Sequence, residues 1–237
     1  MNNLVLKKVA KSLNDFNCMW AIGGSTLLNH YGLVEEPKDI DILVNPKDTE
    51  NVKLAMNKIG KPLEVVNNSD KFKSDDFFRY DVDGTEVEFM VGFRIKCEDS
   101  LYEVIFDEES IVSTVLKDEV EINLMSLEDW FVIYHVLGDP KNRTHLISKY
   151  FENNGVSYKN ILIRNLNLQM PEYIKNEILS SQFLEHYEQI MILFDAIGLG
   201  IFTVVGINTA INMGIEDNIF LLTFVGVVTG IGGGMIR

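Results

Sequence analysis

Cysteine is nearly absent from this 237-residue chain, and Cys18 and Cys97 form no Cys-x-x-Cys spacing. That excludes a disulfide framework and a cysteine-based zinc site, and it fits a reducing compartment. Basic residues are also scarce. Twenty-one lysines and arginines stand against 35 acids, for a net charge of −14. A broad electrostatic footprint for long nucleic acid is therefore disfavoured, and any nucleotide must be held locally. The N-terminal MNNLVLKKVAKSLNDF has no long apolar core and no small-residue cleavage site. It reads as an amphipathic helix, with Leu4, Val5, Val9 and Leu13 on one side, rather than as a signal peptide.

What is present is concentrated in residues 21–44, AIGGSTLLNHYGLVEEPKDIDILV. Gly23, Gly24 and Ser25 form a turn ahead of a helix over Thr26–Tyr31, and such a turn offers backbone N–H groups to phosphate. Asp39-Ile40-Asp41 then opens a strand over Asp39–Val44. Side chains alternate across a strand, so Asp39 and Asp41 share one face while Ile40 and Ile42 take the other. Two acids on one face repel unless a cation lies between them. A hard dication such as Mg²⁺ takes oxygen ligands and completes its shell with substrate phosphates.

The rest of the pattern predicts helices over Asn3–Asp15 and Thr49–Ile59 and a short strand over Met19–Ile22. Phe77–Val82 and Thr85–Val91 flank Asp83-Gly84, a hairpin signal. On the second of these strands Val87, Phe89 and Val91 face one way, and Glu86 and Glu88 the other. Ile122–Leu124 reads as a further strand. Ser126 reads as a helix cap with Asp129 three residues on, before the apolar run Trp130–Leu137. Two or three more helices follow to about Ser180. Trp20 and Trp130 read as core residues and His30 as a helix-end residue. Lys141 and Arg143 fall in a solvated loop from which they could reach a substrate phosphate.

Residues 20–91 resemble the nucleotidyltransferase superfamily in its small bacterial form. The resemblance rests on Ile22-Gly23-Gly24-Ser25, then Asp39-Ile40-Asp41, then Glu88 within Val87-Glu88-Phe89-Met90. It implies an α/β (α+β) fold with a mixed sheet flanked by helices and the three acids at one end. It also implies two Mg²⁺ ions on Asp39 and Asp41 with Glu88 as third acid, a nucleoside triphosphate substrate, and Gly23, Gly24 and Ser25 on its phosphates. Glu86 and Asp83 remain alternatives for the third acid. Under this resemblance a nucleoside monophosphate passes to an acceptor that the residues do not name.

From Met191 onward only Asp195, Glu216, Asp217 and Arg237 are charged. That shift predicts a domain over residues 1–175, an amphipathic linker over 176–190 and a two-helix membrane segment over 191–237. A membrane span needs roughly 20 apolar residues, with about 17 as a lower limit; Ile190–Met213 and Ile219–Ile236 both qualify, the second marginally. A short polar turn at Gly214–Asn218 joins them into a helical hairpin. Asp195-Ala196-Ile197-Gly198-Leu199 and Gly232-Gly233-Gly234-Met235-Ile236-Arg237 resemble prokaryotic trimeric intracellular cation channels. That family uses seven spanning helices, and two do not enclose its pore, so the tail reads as a truncated or fused piece. The glycine-rich helices leave room for an oligomer through close helix approach. The acidic turn, with Lys175 and Arg237 flanking the hairpin, predicts both ends in the cytoplasm. The domain would then be tethered to the inner membrane, or cytoplasmic if the tail does not insert. The rival to an enzyme is a channel-family protein or fragment with a non-catalytic cytoplasmic domain.

Overall fold

The computed structural model describes residues 3–65, 70–139, 141–181, 183, 203–212, 221, 223, 224, 227 and 228. The chain divides into two units, Met1–Leu179 and Ser180–Arg237.

The first unit opens with helix α1 (Asn3–Asp15), strand β1 (Trp20–Ile22), helix α2 (Gly24–His30) and strand β2 (Ile40–Val44). Helix α3 (Thr49–Asn57) and strands β3 (Lys61–Leu63), β4 (Asp76–Val82) and β5 (Thr85–Val91) follow. A small hairpin, β6 (Arg94–Cys97) with β7 (Ser100–Glu103), precedes a longer one, β8 (Ile111–Lys117) with β9 (Val120–Met125). Helices α4 (Leu127–Leu137), α5 (Arg143–Asn154), α6 (Lys159–Leu166) and α7 (Glu172–Leu179) close the unit. Helix α7 runs through residue 175, so the first unit extends to Leu179.

Seven strands make one mixed sheet in the order β3-β4-β5-β2-β1-β9-β8, and β6 and β7 form a separate pair. The sheet has two parallel seams, β2 with β5 and β1 with β9. One face is apolar. Ile40, Ile42, Val44, Tyr80, Val82, Val87 and Phe89 are buried there. Helix α3 lies over that face, with the Tyr80 hydroxyl donating to Asn57 Oδ1 at 3.0 Å. Helix α1 buries Val5, Val9 and Leu13 as its spacing predicts, but the buried stripe continues through Leu6 and Ala10, and Leu4, expected on that side, is exposed. Ser12 Oγ of α1 donates to the Ala55 carbonyl of α3 at 3.0 Å, tying the two helices together.

Local signals explain the best-defined joints. Asp83 and Gly84 both take positive φ, 53° and 83°, as a two-residue hairpin of primed type requires. Ser126 caps α4: its Oγ accepts from the Asp129 N–H at 2.9 Å. Gly138 ends the helix in the left-handed conformation at φ 74°. Helix α4 is buried almost throughout, including Glu128 and Asp129. Those two acids are satisfied locally. Glu128 accepts from the Tyr158 N–H at 2.8 Å, and Asp129 accepts from Asn165 Nδ2 at 2.7 Å.

In the second unit, residues 203–212 are helical. Most of the expected membrane hairpin, including Asp195 and the triple glycine, lies outside the described residues. Among the described residues no helix is long and apolar enough to cross a membrane.

Candidate active site

The acids lie on the face of the sheet opposite α3, in a row that crosses four strands. Asp41 of β2 pairs in register with Glu88 of β5, and Glu88 in turn with Arg79 of β4. On the other side the Gly23 N–H donates to the Asp41 carbonyl at 2.9 Å, directly after β1. The row therefore reads Gly23, Asp41, Glu88, Arg79. The Asp-x-Asp alternation places Asp41 there, and the parallel β2–β5 seam sets Glu88 beside it. Asp39 stands one residue before β2.

Ser25 ties the turn to both aspartates. Its Oγ donates to Asp39 Oδ1 at 3.2 Å, and its backbone N–H points to Asp41 Oδ2 at 3.4 Å. The Thr26 hydroxyl adds a bond to the Asp39 carbonyl at 3.0 Å. Gly24 has φ +53°, and a β-carbon built on it would lie 1.8 Å from Asp41 Oδ2. Only glycine lets the turn pass this close to the carboxylate.

The two other acids weighed for the third position are engaged elsewhere. Glu86 pairs with Arg79 Nη1 at 2.5 Å, and Asp83 with Lys8 Nζ at 2.8 Å. Glu88 is the acid that abuts Asp41. Burial, reinforced by the nearby Asp39 charge, pushes the Asp41 carboxyl up to about 6. Burial and the charges of Asp41 and Asp39 push Glu88 up to about 7. Such crowding of carboxylates marks a place where a cation or a proton is wanted.

The donor set, three carboxylates with hard oxygens, fits a divalent cation such as Mg²⁺. Among the described residues no group of three or more His, Cys, Asp or Glu side chains converges into a ready metal cage. Ser25 engages one oxygen of each aspartate, Asp39 Oδ1 and Asp41 Oδ2.

A second wall holds Arg143, which the sequence placed in a solvated loop within reach of a phosphate and which instead opens α5 against Tyr134. Tyr134 of α4 is buried, and its hydroxyl accepts from Arg143 Nη1 at 3.1 Å. The guanidinium also lies over the Tyr134 ring, 5.0 Å from its centroid. Asp139 sets this arrangement. It accepts from the Arg143 N–H at 2.8 Å and the Thr144 N–H at 2.7 Å, capping α5 from the preceding loop. Arg143 and Lys141 both lie near enough to Asp41 to pull its carboxyl pKa downward against the effect of burial. Among the described residues Arg143 makes no ion pair, whereas Arg79, Arg94 and Arg164 each do. His30 stays at the exposed end of α2, outside this group. Nothing in the spacing of Gly-Asp-Pro-Lys-Asn-Arg marks Arg143 as facing the acids. The signal was Asp139 at a capping distance from Thr144.

Comparisons with known proteins touch both parts of the chain. Residues 192–237 match the family model described as glycine transporter, the segment that resembles the cation channels. No curated protein is detectably similar. Among solved structures, a Thermotoga maritima protein described as a nucleotidyltransferase is 22% identical, with a TM-score of 0.49 over 64% of this chain and 92% of its own. ANT(2″)-Ia, solved with adenylyl-2″-tobramycin, is 11% identical, with a TM-score of 0.47 over 78% of this chain and 97% of its own. The lincosamide antibiotic adenylyltransferase LnuA, solved with lincomycin, is 12% identical, with a TM-score of 0.43 over 64% of this chain and 97% of its own.

Proposed function

We propose that the first unit transfers a nucleoside monophosphate from a nucleoside triphosphate to a hydroxyl-bearing acceptor. The observation that carries this reading is the register pairing of Asp41 with Glu88 beside the Gly23–Ser25 turn. Asp39, Asp41 and Glu88 would hold Mg²⁺, which when bound neutralises charge on the phosphates. Gly23, Gly24 and Ser25 bring the turn against the same carboxylates and would orient the phosphate chain. Glu88, in register beside Asp41, would be the carboxylate that takes the acceptor's proton. The acceptor oxygen bonds to the α-phosphorus, the bond from that phosphorus to the pyrophosphate oxygen breaks, and the hydroxyl proton passes to Glu88. Positioning and charge neutralisation supply most of the acceleration in such chemistry.

The test is nucleotide labelling: purified chain, radiolabelled triphosphates, Mg²⁺ and a panel of small-molecule, protein and RNA-end acceptors. Wild type should bind nucleotide and label an acceptor, and Asp39→Ala/Asp41→Ala should do neither. If wild type and variant alike bind no nucleotide, the enzyme reading is lost.

The family match over residues 192–237 favours a second role, for the tail alone. We propose that it anchors the unit at the cytoplasmic side of a membrane, with the glycine-rich helices able to associate. On fractionation, the full chain should stay with membranes after alkaline carbonate washing, and a chain ending at Leu179 should not. Release of the full chain by carbonate would sink the anchor.

A further inference from the structure

Two tryptophans are buried in the first unit, and they differ in one respect. Trp20 Nε1 donates to Asn14 Oδ1 at 2.9 Å. Trp130 is 3% exposed, and its Nε1–H has no hydrogen-bond partner among the described residues. Leaving a buried donor unpaired is costly, and an indole has no second polar atom to compensate. Arg79 and Arg164 also carry an unpaired Nε, but their terminal nitrogens are bonded to Glu86, Asp107 and Ser110. Trp130 has no such alternative.

The orphan N–H lies at the candidate site. A β-carbon built on Gly23 would sit 2.1 Å from Trp130 Cζ2 and 2.4 Å from Nε1. The polar edge of the indole is thus pressed against the Gly23–Gly24 turn, and Gly24 is in turn pressed against the Asp41 carboxylate. One helical turn further along α4, Tyr134 packs beside the indole, with ring centroids 5.3 Å apart. Tyr134 holds Arg143, and the charges of Arg143 and of the exposed Lys141 are near enough to lower the Asp41 carboxyl. This side of the site carries a donor-only N–H and, held on the Tyr134 ring, the Arg143 guanidinium.

We infer that Trp130 Nε1–H is a ligand-binding donor that closes on a phosphate-type oxyanion lying over the Gly23–Gly24 turn, with Arg143 beside it and Tyr134 as its positioning residue. This rests on the nucleotidyl-transfer reading for the identity of the anion, the polyphosphate of the nucleotide. The chemistry is specific. The indole N–H cannot accept, so its partner must be a hydrogen-bond acceptor. The adjacent guanidinium selects a negatively charged one. The ligand thereby satisfies a donor that the protein alone leaves unmet.

The test is calorimetric binding of pyrophosphate, ATP and adenosine to the full chain. It compares wild type, Trp130→Phe, and a chain with benzothienylalanine at position 130. The last keeps two fused rings and lacks the N–H, so it separates loss of the donor from loss of volume. Both replacements should weaken pyrophosphate and ATP by roughly tenfold or more and leave adenosine unchanged. Arg143→Gln should weaken the same two ligands. Unchanged pyrophosphate affinity in the benzothienylalanine chain would overturn the inference, as would a loss confined to adenosine or no pyrophosphate binding by wild type. The transfer assay is read separately. Weakened pyrophosphate binding in a chain that labels no acceptor leaves the inference standing and removes the enzyme reading.

Discussion

Asp41→Asn is expected to reduce nucleotidyl transfer by about three orders of magnitude and to make the nucleotide-free unit more stable at about pH 8. The two effects have one cause. The carboxyl is held at about 6 in the folded protein, against an ordinary value of 3.8, by burial and by Asp39. Between those values the native state binds more protons than the unfolded chain, so stability falls as pH rises through that window. Above it the folded protein carries a carboxylate that burial disfavours, at a cost of about 3 kcal/mol for a gap of about two pH units. Asparagine keeps the shape and never acquires the charge. Its advantage should be largest at about pH 8, shrink through about pH 5, and vanish below about pH 4. Urea midpoints across that range measure it. An equal destabilisation at every pH would show that burial and charge crowding at Asp41 are not what set its cost. With Asp41 neutral, Glu88 loses a neighbouring charge that holds its own carboxyl up, so its titration should move to lower pH.

Gly24→Ala is expected to remove activity nearly as completely, by a different route. The residue sits at φ +53°, where an L side chain costs about 1–2 kcal/mol. The added carbon would also fall 1.8 Å from Asp41 Oδ2, so the carboxylate must leave its place. Overpacking in a closed site costs a further 1–3 kcal/mol or so. The unit should therefore unfold about 2–5 kcal/mol more easily and lose transfer even at temperatures where it stays folded. Gly23→Ala is the informative companion. Its new carbon strikes the ring of Trp130, which is buried and rigid, so it should shift α4 and leave the Asp41 carboxylate in place. Denaturant unfolding and transfer assays on both variants separate the two. If Gly24→Ala keeps full activity, the turn does not govern Asp41.

Much of the frame was legible because single residues dictated it. The run of apolar positions in Asn3–Asp15 could bury only one side, and Asp83-Gly84 supplied the two positive φ angles a tight hairpin needs. Ser126 announced α4 through its cap. Strand β8 was missed because Ile-Val-Ser-Thr-Val-Leu-Lys half-alternates, and its pairing with β9 is irregular between Ile111 and Ser113. The β6–β7 hairpin was missed because its turn uses Glu98 at φ 52° where a glycine would have signalled it. The acids could be singled out because strand alternation is a local rule. The facing wall could not. Trp130 reads as core from its apolar neighbours, and it is core, but whether its N–H finds a partner depends on Gly23, a hundred positions away. Arg143 reads as a loop cation, and its direction is fixed by Tyr134 and Asp139 in three dimensions.

That distance has a kinetic side. The β4–β5 and β8–β9 hairpins join neighbours in the chain, whereas the β1–β9 seam pairs Ile22 with Leu124. Closing a loop of about one hundred residues is slow next to closing a hairpin. Helix α4 follows β9 directly, so the indole reaches the glycine turn only after that seam has closed. During synthesis, a chain that has emerged as far as Val91 already carries all three acids and the hairpin that bears Glu88. It lacks the wall opposite them. The two walls of the site therefore come together late, when the β1–β9 seam brings α4 to the glycine turn.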